Sequence, residues 1–209
     1  MKYIVIEGNI GVGKTTLANK LATDLKAKLL PEEFNSNPFL PKFYKNPGKY
    51  SFQLELSFLV DRFNQINNEA AFTKKSESLV IADYYITKSA IFAEKTLPQD
   101  EFQVFQNIYN IILEKIPVPN LYVYLHAETK NIKNNIVKRG REYETNISFE
   151  YLSSIEQGYC NYINNIQNFP ILFIDINNID FVNDSVNYDK LKMGIFNSEY
   201  KLGINKLVF

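Results

Sequence analysis

A glycine-rich octapeptide near the start of the chain has the residue types of a phosphate-binding loop. Residues 8–15 read Gly-Asn-Ile-Gly-Val-Gly-Lys-Thr, which fits G-x-x-x-x-G-K-[ST], and an apolar run precedes them. Glycines let successive backbone N–H groups turn toward one anion, and the following helix N-terminus adds a favourable dipole. The pattern predicts a bound nucleoside triphosphate, with Lys14 on the β- and γ-phosphates and Thr15 on Mg²⁺. The predicted contacts are Gly8, Asn9, Ile10, Gly11, Val12, Gly13, Lys14, Thr15 and Thr16.

Charged side chains on a predicted helix at 47–67 indicate a second polar site. Phe52, Glu55, Leu59, Arg62 and Ile66 lie three or four residues apart and so share one face of this helix. Glu55 and Arg62 are two turns apart, about 10 Å along the axis, among apolar neighbours. A solvated ion pair is one interpretation. Burial of unpaired charge is costly, however, and the pattern therefore favours a pocket for a polar ligand.

Acidic residues follow three of the apolar runs. Glu32, Asp83 and Asp175 come just after such runs, as Gly8 does after the first. Ligands of open parallel sheets bind beyond the carboxyl ends of the strands. These carboxylates are therefore expected near the phosphate loop, where an acid can serve as a general base.

Short apolar runs alternate with longer helical patterns and define the fold. The runs are apolar throughout, which is typical of strands buried on both faces of a parallel sheet. Strands are predicted at 3–6, 28–30, 79–82, 121–125 and 171–174, and helices at 14–26, 47–67, 100–115, 128–138 and 148–167. This order predicts an α/β fold with a five-stranded parallel sheet flanked by helices.

Composition excludes several classes of protein. The chain has 209 residues, 45% of them hydrophobic and 22% charged, which is ordinary for a globular protein. Lys and Arg number 23, as do Asp and Glu, so no basic excess favours a nucleic-acid partner. No apolar stretch approaches the roughly 20 residues of a membrane span, and the lone Cys160 fits a reducing compartment. A single cytoplasmic domain, residues 1–209, is expected, with no membrane partner.

The absence of other motifs narrows the class of nucleotide-binding protein. The chain contains neither D-x-x-G nor N-K-x-D, which a regulatory GTPase needs, and it lacks the G-x-G-x-x-G of dinucleotide-binding enzymes. A kinase for a small molecule remains, with the second substrate beside the γ-phosphate.

Three further segments carry a resemblance to a known family. They are Pro-Glu-Glu-Phe-Asn-Ser-Asn-Pro at 31–38, Phe-Tyr at 43–44 with Tyr-Ser-Phe-Gln-Leu-Glu at 50–55, and Lys-Arg-Gly-Arg-Glu-Tyr-Glu at 138–144. Together with the phosphate loop they resemble the deoxynucleoside kinases, in particular the bacterial deoxyguanosine and deoxyadenosine kinases, from residue 1 to about 181. The resemblance implies the P-loop kinase fold, ATP as donor, Mg²⁺ as cofactor, a deoxynucleoside acceptor and a homodimer.

The same resemblance implies roles at the reacting centre. Glu32 takes the place of the family's general base for the nucleoside 5′-hydroxyl, although Glu33 replaces the proline that follows it there. Asp83 matches the acid that holds Mg²⁺, which Thr15 would share. Tyr84 stands where the family has an arginine, and Lys88 is expected to replace part of that arginine's function.

A basic lid over the triphosphate is implied at residues 138–146. In it Arg139 and Arg141 would join Glu32 and Lys14 as catalytic residues, and Arg139 would also bind ATP. Asn135 replaces the family's first lid arginine, which makes this lid less basic than usual.

One pair of residues is implied to bind the sugar, and one segment is implied to border the donor base. Tyr44 and Glu144 match the pair that contacts the sugar 3′-hydroxyl. The segment from Asp175 to Phe181 resembles the loop that borders the adenine of ATP.

Glu55 is the residue expected to distinguish the acceptor bases, and it stands where many family members carry glutamine. A carboxylate only accepts hydrogen bonds, which suits the adjacent N1–H and 2-amino donors of guanine. Adenine presents one donor and one acceptor. Arg62 and Lys88 would donate to guanine O6 and N7, and Phe52 would lie among the rings beside the substrate.

The sequence therefore predicts ATP-dependent phosphorylation of a purine deoxynucleoside, with deoxyguanosine favoured and deoxyadenosine next. Two alternatives remain open. A nucleoside monophosphate kinase would need arginines near the helix expected from Pro38, where the chain offers mainly Lys42 and Lys45. A non-catalytic nucleotide-binding regulator would tolerate Glu32→Gln.

Overall fold

A computed structural model describes residues 2–34, 37–69, 78–144 and 147–207 of the chain. Its strands are β1 (Lys2–Gly8), β2 (Lys28–Leu30), β3 (Leu79–Ala82), β4 (Leu121–His126), β5 (Pro170–Asp175) and β6 (Gly203–Leu207). They form one sheet in the order β2-β3-β1-β4-β5-β6, and every neighbouring pair is parallel. The α/β prediction is confirmed, but the sheet has six strands and not the five predicted.

Helices connect the strands. They are α1 (Lys14–Asp24), α2 (Leu40–Lys45), α3 (Pro47–Asn68), α4 (Thr87–Thr96), α5 (Gln99–Leu113), α6 (Thr129–Arg139), α7 (Phe149–Asn165) and α8 (Ser185–Phe196). The five predicted helices correspond to α1, α3, α5, α6 and α7. Within the part of the chain that the structure describes, none of the helices has the length and apolar composition of a membrane span.

The central strand β1 is buried on both faces because its side chains alternate between two apolar layers. Tyr3 and Val5 pack in one hydrophobic cluster, whereas Ile4 and Ile6 pack in the other. This alternation follows from the two-residue period of a strand. It fixes the carboxyl end of β1 in the middle of the sheet, and the phosphate loop begins there.

The sixth strand continues the sheet beyond β5. Its register runs from Gly203 opposite Pro170 to Leu207 opposite Ile174. A Cβ added to Gly194 of α8 would lie 2.3 Å from a methyl carbon of Leu207, so glycine allows α8 to approach this strand closely. The strand reads Gly-Ile-Asn-Lys-Leu, so Asn205 and Lys206 interrupt any apolar run, and Ile204 and Lys206 are exposed on one face. The sequence pattern therefore gave no signal for this strand.

Candidate active site

The phosphate loop curls between β1 and α1 through three glycines. Gly8, Gly11 and Gly13 have φ values of 147°, 80° and 105°, a region that residues with a side chain rarely adopt. A Cβ on Gly8 would lie 2.4 Å from the carbonyl oxygen of Leu125, so this position has no room for a side chain. The loop therefore has the backbone shape that the sequence motif predicts.

The lysine of this loop is buried beneath it. Lys14 Nζ donates to the carbonyl oxygen of Asn9 over 2.9 Å. Burial, together with the nearby charge of Lys88, lowers the pKa of Lys14 to about 8. The Asn9 side chain points elsewhere, since its Nδ2 donates to the Leu152 carbonyl over 2.8 Å and fastens the loop to α7.

Thr15 and Asp83 lie together as an oxygen-donor pair. Thr15 Oγ1 donates to Asp83 Oδ2 over 2.5 Å, and Asp83 Oδ1 is buried with no hydrogen-bond partner among the described residues. Burial raises the pKa of Asp83 to about 6, against the attraction of Lys14. A hydroxyl and a carboxylate beside a phosphate loop suit Mg²⁺, which binds proteins through one or two such oxygens and takes the rest of its ligands from phosphates and water.

Glu32 lies between two cations immediately after β2. Arg62 Nη2 is 2.6 Å from Glu32 Oε1, and Lys88 Nζ is 2.5 Å from Glu32 Oε2. Burial opposes ionisation of this carboxyl group, but the charges of Lys88 and Arg62 outweigh it and hold its pKa at about 2. Lys88 thus occupies one oxygen of Glu32, and its expected replacement of part of the family arginine's function stays a prediction.

A cavity, the inner pocket, extends from Glu32 between α2, α3 and α7. Its walls include Glu32, Tyr44, Glu55, Phe58, Arg62 and Tyr151. Glu55 is only 2% exposed and accepts a hydrogen bond from Thr96 Oγ1 over 3.2 Å. Burial raises the pKa of Glu55 to about 7, although Arg62 and Thr96 favour its charged form.

The prediction for Phe52 needs correction. Its ring packs against the hydrophobic cluster that contains Leu59 and Ile66, whereas Phe58 of α3 and Phe92 of α4 line the inner pocket. The predicted face of α3 is therefore rotated by part of a turn, which brings Phe58 to the pocket and moves Phe52 away from it.

The two arginines of the predicted lid, Arg139 and Arg141, contact one carboxylate. Arg139 Nη2 pairs with Glu144 Oε2, and Arg141 Nη1 lies 3.1 Å from Glu144 Oε1. The ring of Tyr143 stacks on that of Tyr44, with centroids 5.7 Å apart. Residues 145–146 of the predicted lid lie outside the described residues.

A second cavity, the outer cavity, opens on the other side of the phosphate loop. Thr16, Asn135, Lys138, Asn177, Phe181 and Asn187 are among its lining residues. Asp175, predicted to contact the donor, is exposed but is not among the residues that line this cavity. Its carboxylate accepts hydrogen bonds from the backbone and side chain of Asn177, over 2.9 and 2.8 Å. Asp175 therefore shapes the loop, and the loop's later residues face the cavity.

Sequence reasoning missed Glu7, a fully buried carboxylate at the end of β1. Its oxygens accept hydrogen bonds from Tyr85 N at 2.8 Å and Tyr159 Oη at 2.9 Å. Burial raises the pKa of Glu7, and the charges of Lys88 and Lys14 oppose that rise. One acid therefore ties the end of β1 to the turn that follows Asp83 and leads into α4. The sequence did contain a signal for this buried acid, since Glu7 stands at the end of an otherwise apolar run.

Comparison with known proteins agrees with this architecture. A family profile described as "Deoxynucleoside kinase" matches residues 4–198. The chain is 35% identical over 193 residues to a deoxyguanosine kinase of Bacillus subtilis (strain 168), which covers 90% of this chain and 93% of that protein. It is 30% identical over 185 residues to a deoxyadenosine/deoxycytidine kinase of the same organism, with 87% and 85% covered. A structure of deoxyadenosine kinase from M. mycoides has the same fold, with a TM-score of 0.80 at 24% identity over 94% of this chain and 100% of that one. The chain therefore belongs to the deoxynucleoside kinase family of phosphotransferases.

Proposed function

We propose that this kinase transfers the γ-phosphoryl group of ATP to the 5′-hydroxyl of a purine deoxynucleoside, with deoxyguanosine preferred to deoxyadenosine. The observation that carries the proposal is that the inner pocket and the outer cavity meet at the phosphate loop. Both are lined by Gly11, Lys14, Thr15, Arg139 and Arg141. A nucleoside in the inner pocket and a triphosphate in the outer cavity would bring hydroxyl and phosphorus together at that junction.

Glu32 orients the acceptor hydroxyl more than it activates it. A carboxylate whose pKa is about 2 is ionised throughout the physiological range but is a weak base. In a loose transition state for phosphoryl transfer, positioning contributes more than early deprotonation. Glu32 accordingly accepts the O–H hydrogen bond, aims the oxygen at the phosphorus, and takes the proton as the new P–O bond forms and the bond to ADP breaks.

Positive charge around the transferred group comes from the loop and the lid. Lys14 and the two lid arginines are close enough to both cavities to balance the charge on the equatorial oxygens. Thr15 and Asp83 would hold Mg²⁺, which when bound neutralises charge on the β- and γ-phosphates. Tyr44 on α2 and Glu144 within the proposed lid are proposed to bind the sugar 3′-hydroxyl.

The preference for guanine rests on Glu55. The relatives act on different bases, since one from Bacillus subtilis is a deoxyguanosine kinase and another is a deoxyadenosine/deoxycytidine kinase. An ionised Glu55 presents two acceptors to the N1–H and 2-amino groups of guanine. Arg62 Nε is buried with no partner among the described residues, which leaves a donor for the N7 atom of a purine. Lys88 is instead held by Glu32.

We further propose that residues 1–209 act as one domain with a lid at 138–146, in the cytoplasm and in purine salvage. A homodimer is supported by apolar side chains that α3 and α5 leave exposed: Val60 is 42%, Val104 52% and Ile111 63% exposed.

An ADP-release assay with Mg²⁺·ATP against the four deoxynucleosides, their ribose counterparts and their monophosphates tests the proposal. Deoxyguanosine should give the highest kcat/KM and deoxyadenosine the next. Glu32→Gln should lower kcat by about 10²- to 10⁴-fold while binding of ATP, measured by calorimetry, is retained. Failure to turn over any nucleoside would refute the proposed function. Turnover of monophosphates alone would instead support a monophosphate kinase, and an unaffected Glu32→Gln variant would exclude the proposed role of Glu32.

A further inference from the structure

Glu55 is a buried carboxyl group in a pocket lined in part by aromatic side chains. Phe58, Phe92 and Tyr151 line the inner pocket around it, and its side chain accepts a hydrogen bond from Thr96 at 3.2 Å. An isolated carboxylate in such surroundings is poorly solvated, which favours its neutral form.

The two cations nearest to Glu55 are engaged with a different acid. Arg62 donates through Nη2 to Glu32 and through Nη1 to Ser89, and Lys88 donates to Glu32. Their charges still favour ionised Glu55, but burial outweighs them and raises its pKa to about 7. Both protonation states of Glu55 are therefore populated near neutral pH.

These two protonation states recognise different bases. As a carboxylate, Glu55 offers two acceptors, which match the adjacent N1–H and 2-amino donors of guanine. As a carboxylic acid, it offers one O–H donor and one carbonyl acceptor. That pair matches N1, an acceptor, and the 6-amino group, a donor, of adenine. In this form glutamic acid has the hydrogen-bonding pattern of a glutamine amide.

We propose that Glu55 reads guanine when ionised and adenine when protonated, so that the base preference of this kinase changes with pH. The inference rests on the proposed function and extends it, since it names deoxyadenosine as a substrate of a distinct protonation state. One pocket would thus serve two purine deoxynucleosides without movement of the backbone.

Other ionisable groups also face Glu55 or line its pocket. They are Glu32 after β2, Tyr44 on α2, Arg62 on α3, Lys88 on α4, Glu144 and the two arginines of the proposed lid, and Tyr151 on α7. Burial raises the pKa of both tyrosines, which keeps them neutral. Because these groups, like Lys14 and Asp83, serve both nucleosides alike, their titration cancels in the ratio of the two specificity constants.

The test is therefore kcat/KM for deoxyguanosine and for deoxyadenosine between pH 5.5 and 8.5, taken as a ratio. Since the ratio follows the ratio of ionised to protonated Glu55, it should rise with pH by up to tenfold per unit. The value for deoxyguanosine should fall on the acid side of about pH 7, and the value for deoxyadenosine should fall on the alkaline side.

Three variants test whether titration of Glu55 itself causes the change of base preference with pH. Glu55→Gln should favour deoxyadenosine at every pH, with a ratio that no longer changes. Thr96→Val removes a hydrogen bond that favours the ionised form, so the pKa rises and both limbs should shift to higher pH. Glu94→Gln is the matched control, because Glu94 lies on α4 like Thr96 but is exposed. This variant should keep the wild-type dependence of the ratio on pH.

Two results would overturn the inference: a wild-type ratio that is constant across this range while both nucleosides are turned over, or a slope that survives in Glu55→Gln. If Glu55→Gln does not fold, an unshifted profile in Thr96→Val overturns it. The absence of turnover with either nucleoside at any pH would instead contradict the proposed function, and the two failures are therefore distinguishable.

Discussion

Replacing Lys88 by methionine removes one of the two cations that hold Glu32 in place. Lys88 Nζ lies 2.5 Å from Glu32 Oε2, and the two side chains are only 9% and 11% exposed. Methionine keeps the length and apolar stem of lysine but has no charge and no donor. In the variant Glu32 keeps Arg62 on Oε1, while Oε2 loses its partner and its orientation.

The size of the effect follows from this geometry. At 2.5 Å and an effective dielectric constant of about 20, the Coulomb attraction is roughly 6–7 kcal/mol, an upper bound that desolvation reduces. Net contributions of hydrogen bonds to charged groups are about 1.5–3 kcal/mol. If that amount is lost at the transition state, kcat/KM for the nucleoside falls by about 10- to 150-fold.

Steady-state kinetics with ATP saturating would measure this loss, and the KM for ATP should change little because Lys88 does not touch the outer cavity in the described structure. Lys88→Arg should retain most activity, since it keeps the charge and a donor. Lys95→Met is the matched control, because Lys95 lies two turns further along α4 and pairs with the surface residue Glu94. A Lys88→Met variant within threefold of wild type would show that Glu32 needs only Arg62.

Two further predictions concern the scaffold. Glu7→Gln places an amide where three donors converge, the backbone N–H groups of Gly8 and Tyr85 and the hydroxyl of Tyr159, so at least one buried donor loses its acceptor. The unfolding free energy should fall by about 1–3 kcal/mol, seen as a lower Tm, and kcat should fall with it. A Tm and kcat equal to wild type would show that Glu7 does not hold the turn after β3. Gly194→Ala should displace the Leu207 side chain from α8. The overpacking costs about 1–3 kcal/mol and is offset by a gain of about 1 kcal/mol in helix propensity, so the fold should lose about 0–2 kcal/mol, with faster amide exchange at residues 203–207. The double variant with Leu207→Ala should recover part of that loss, and additive effects would contradict the contact.

Elements with a continuous apolar signal were predictable from the sequence. Strand β1 is buried on both faces, so its apolar run and the phosphate loop after it appear directly in the residues. Helix α4 was not predicted, because Thr87, Lys88 and Ser89 read as a polar loop and are buried only through contacts with distant residues. Strand β6 was missed because it lies at the edge of the sheet, where one of its faces is exposed to solvent and no apolar run is needed.

The site was predictable in its chemical groups but not in their pairings. Glu32 follows a strand that ends at the same edge of the sheet as the phosphate loop, and this position alone predicted that the two lie close together, as the cavity that both line confirms. Glu32 contacts both Arg62 and Lys88, which lie 30 and 56 residues later in the chain. These contacts depend on how α3 and α4 pack, which the sequence pattern does not show. The pocket is lined by Phe58 and not by the predicted Phe52 for a similar reason. A helical pattern shows which residues share a face, but it does not show which face is turned toward the pocket.

These pairings also explain how one pocket can hold two acids with opposite properties. Glu32 and Glu55 are both buried, yet the pKa of Glu32 is held at about 2 and that of Glu55 is raised to about 7. The difference arises because Arg62 and Lys88 donate to Glu32 and act on Glu55 only at longer range. In the proposed function, the acid at the reacting hydroxyl stays charged at all physiological pH values, while the acid at the base titrates near neutrality. The proposed change of base recognition with pH would then leave the charge that orients the hydroxyl constant.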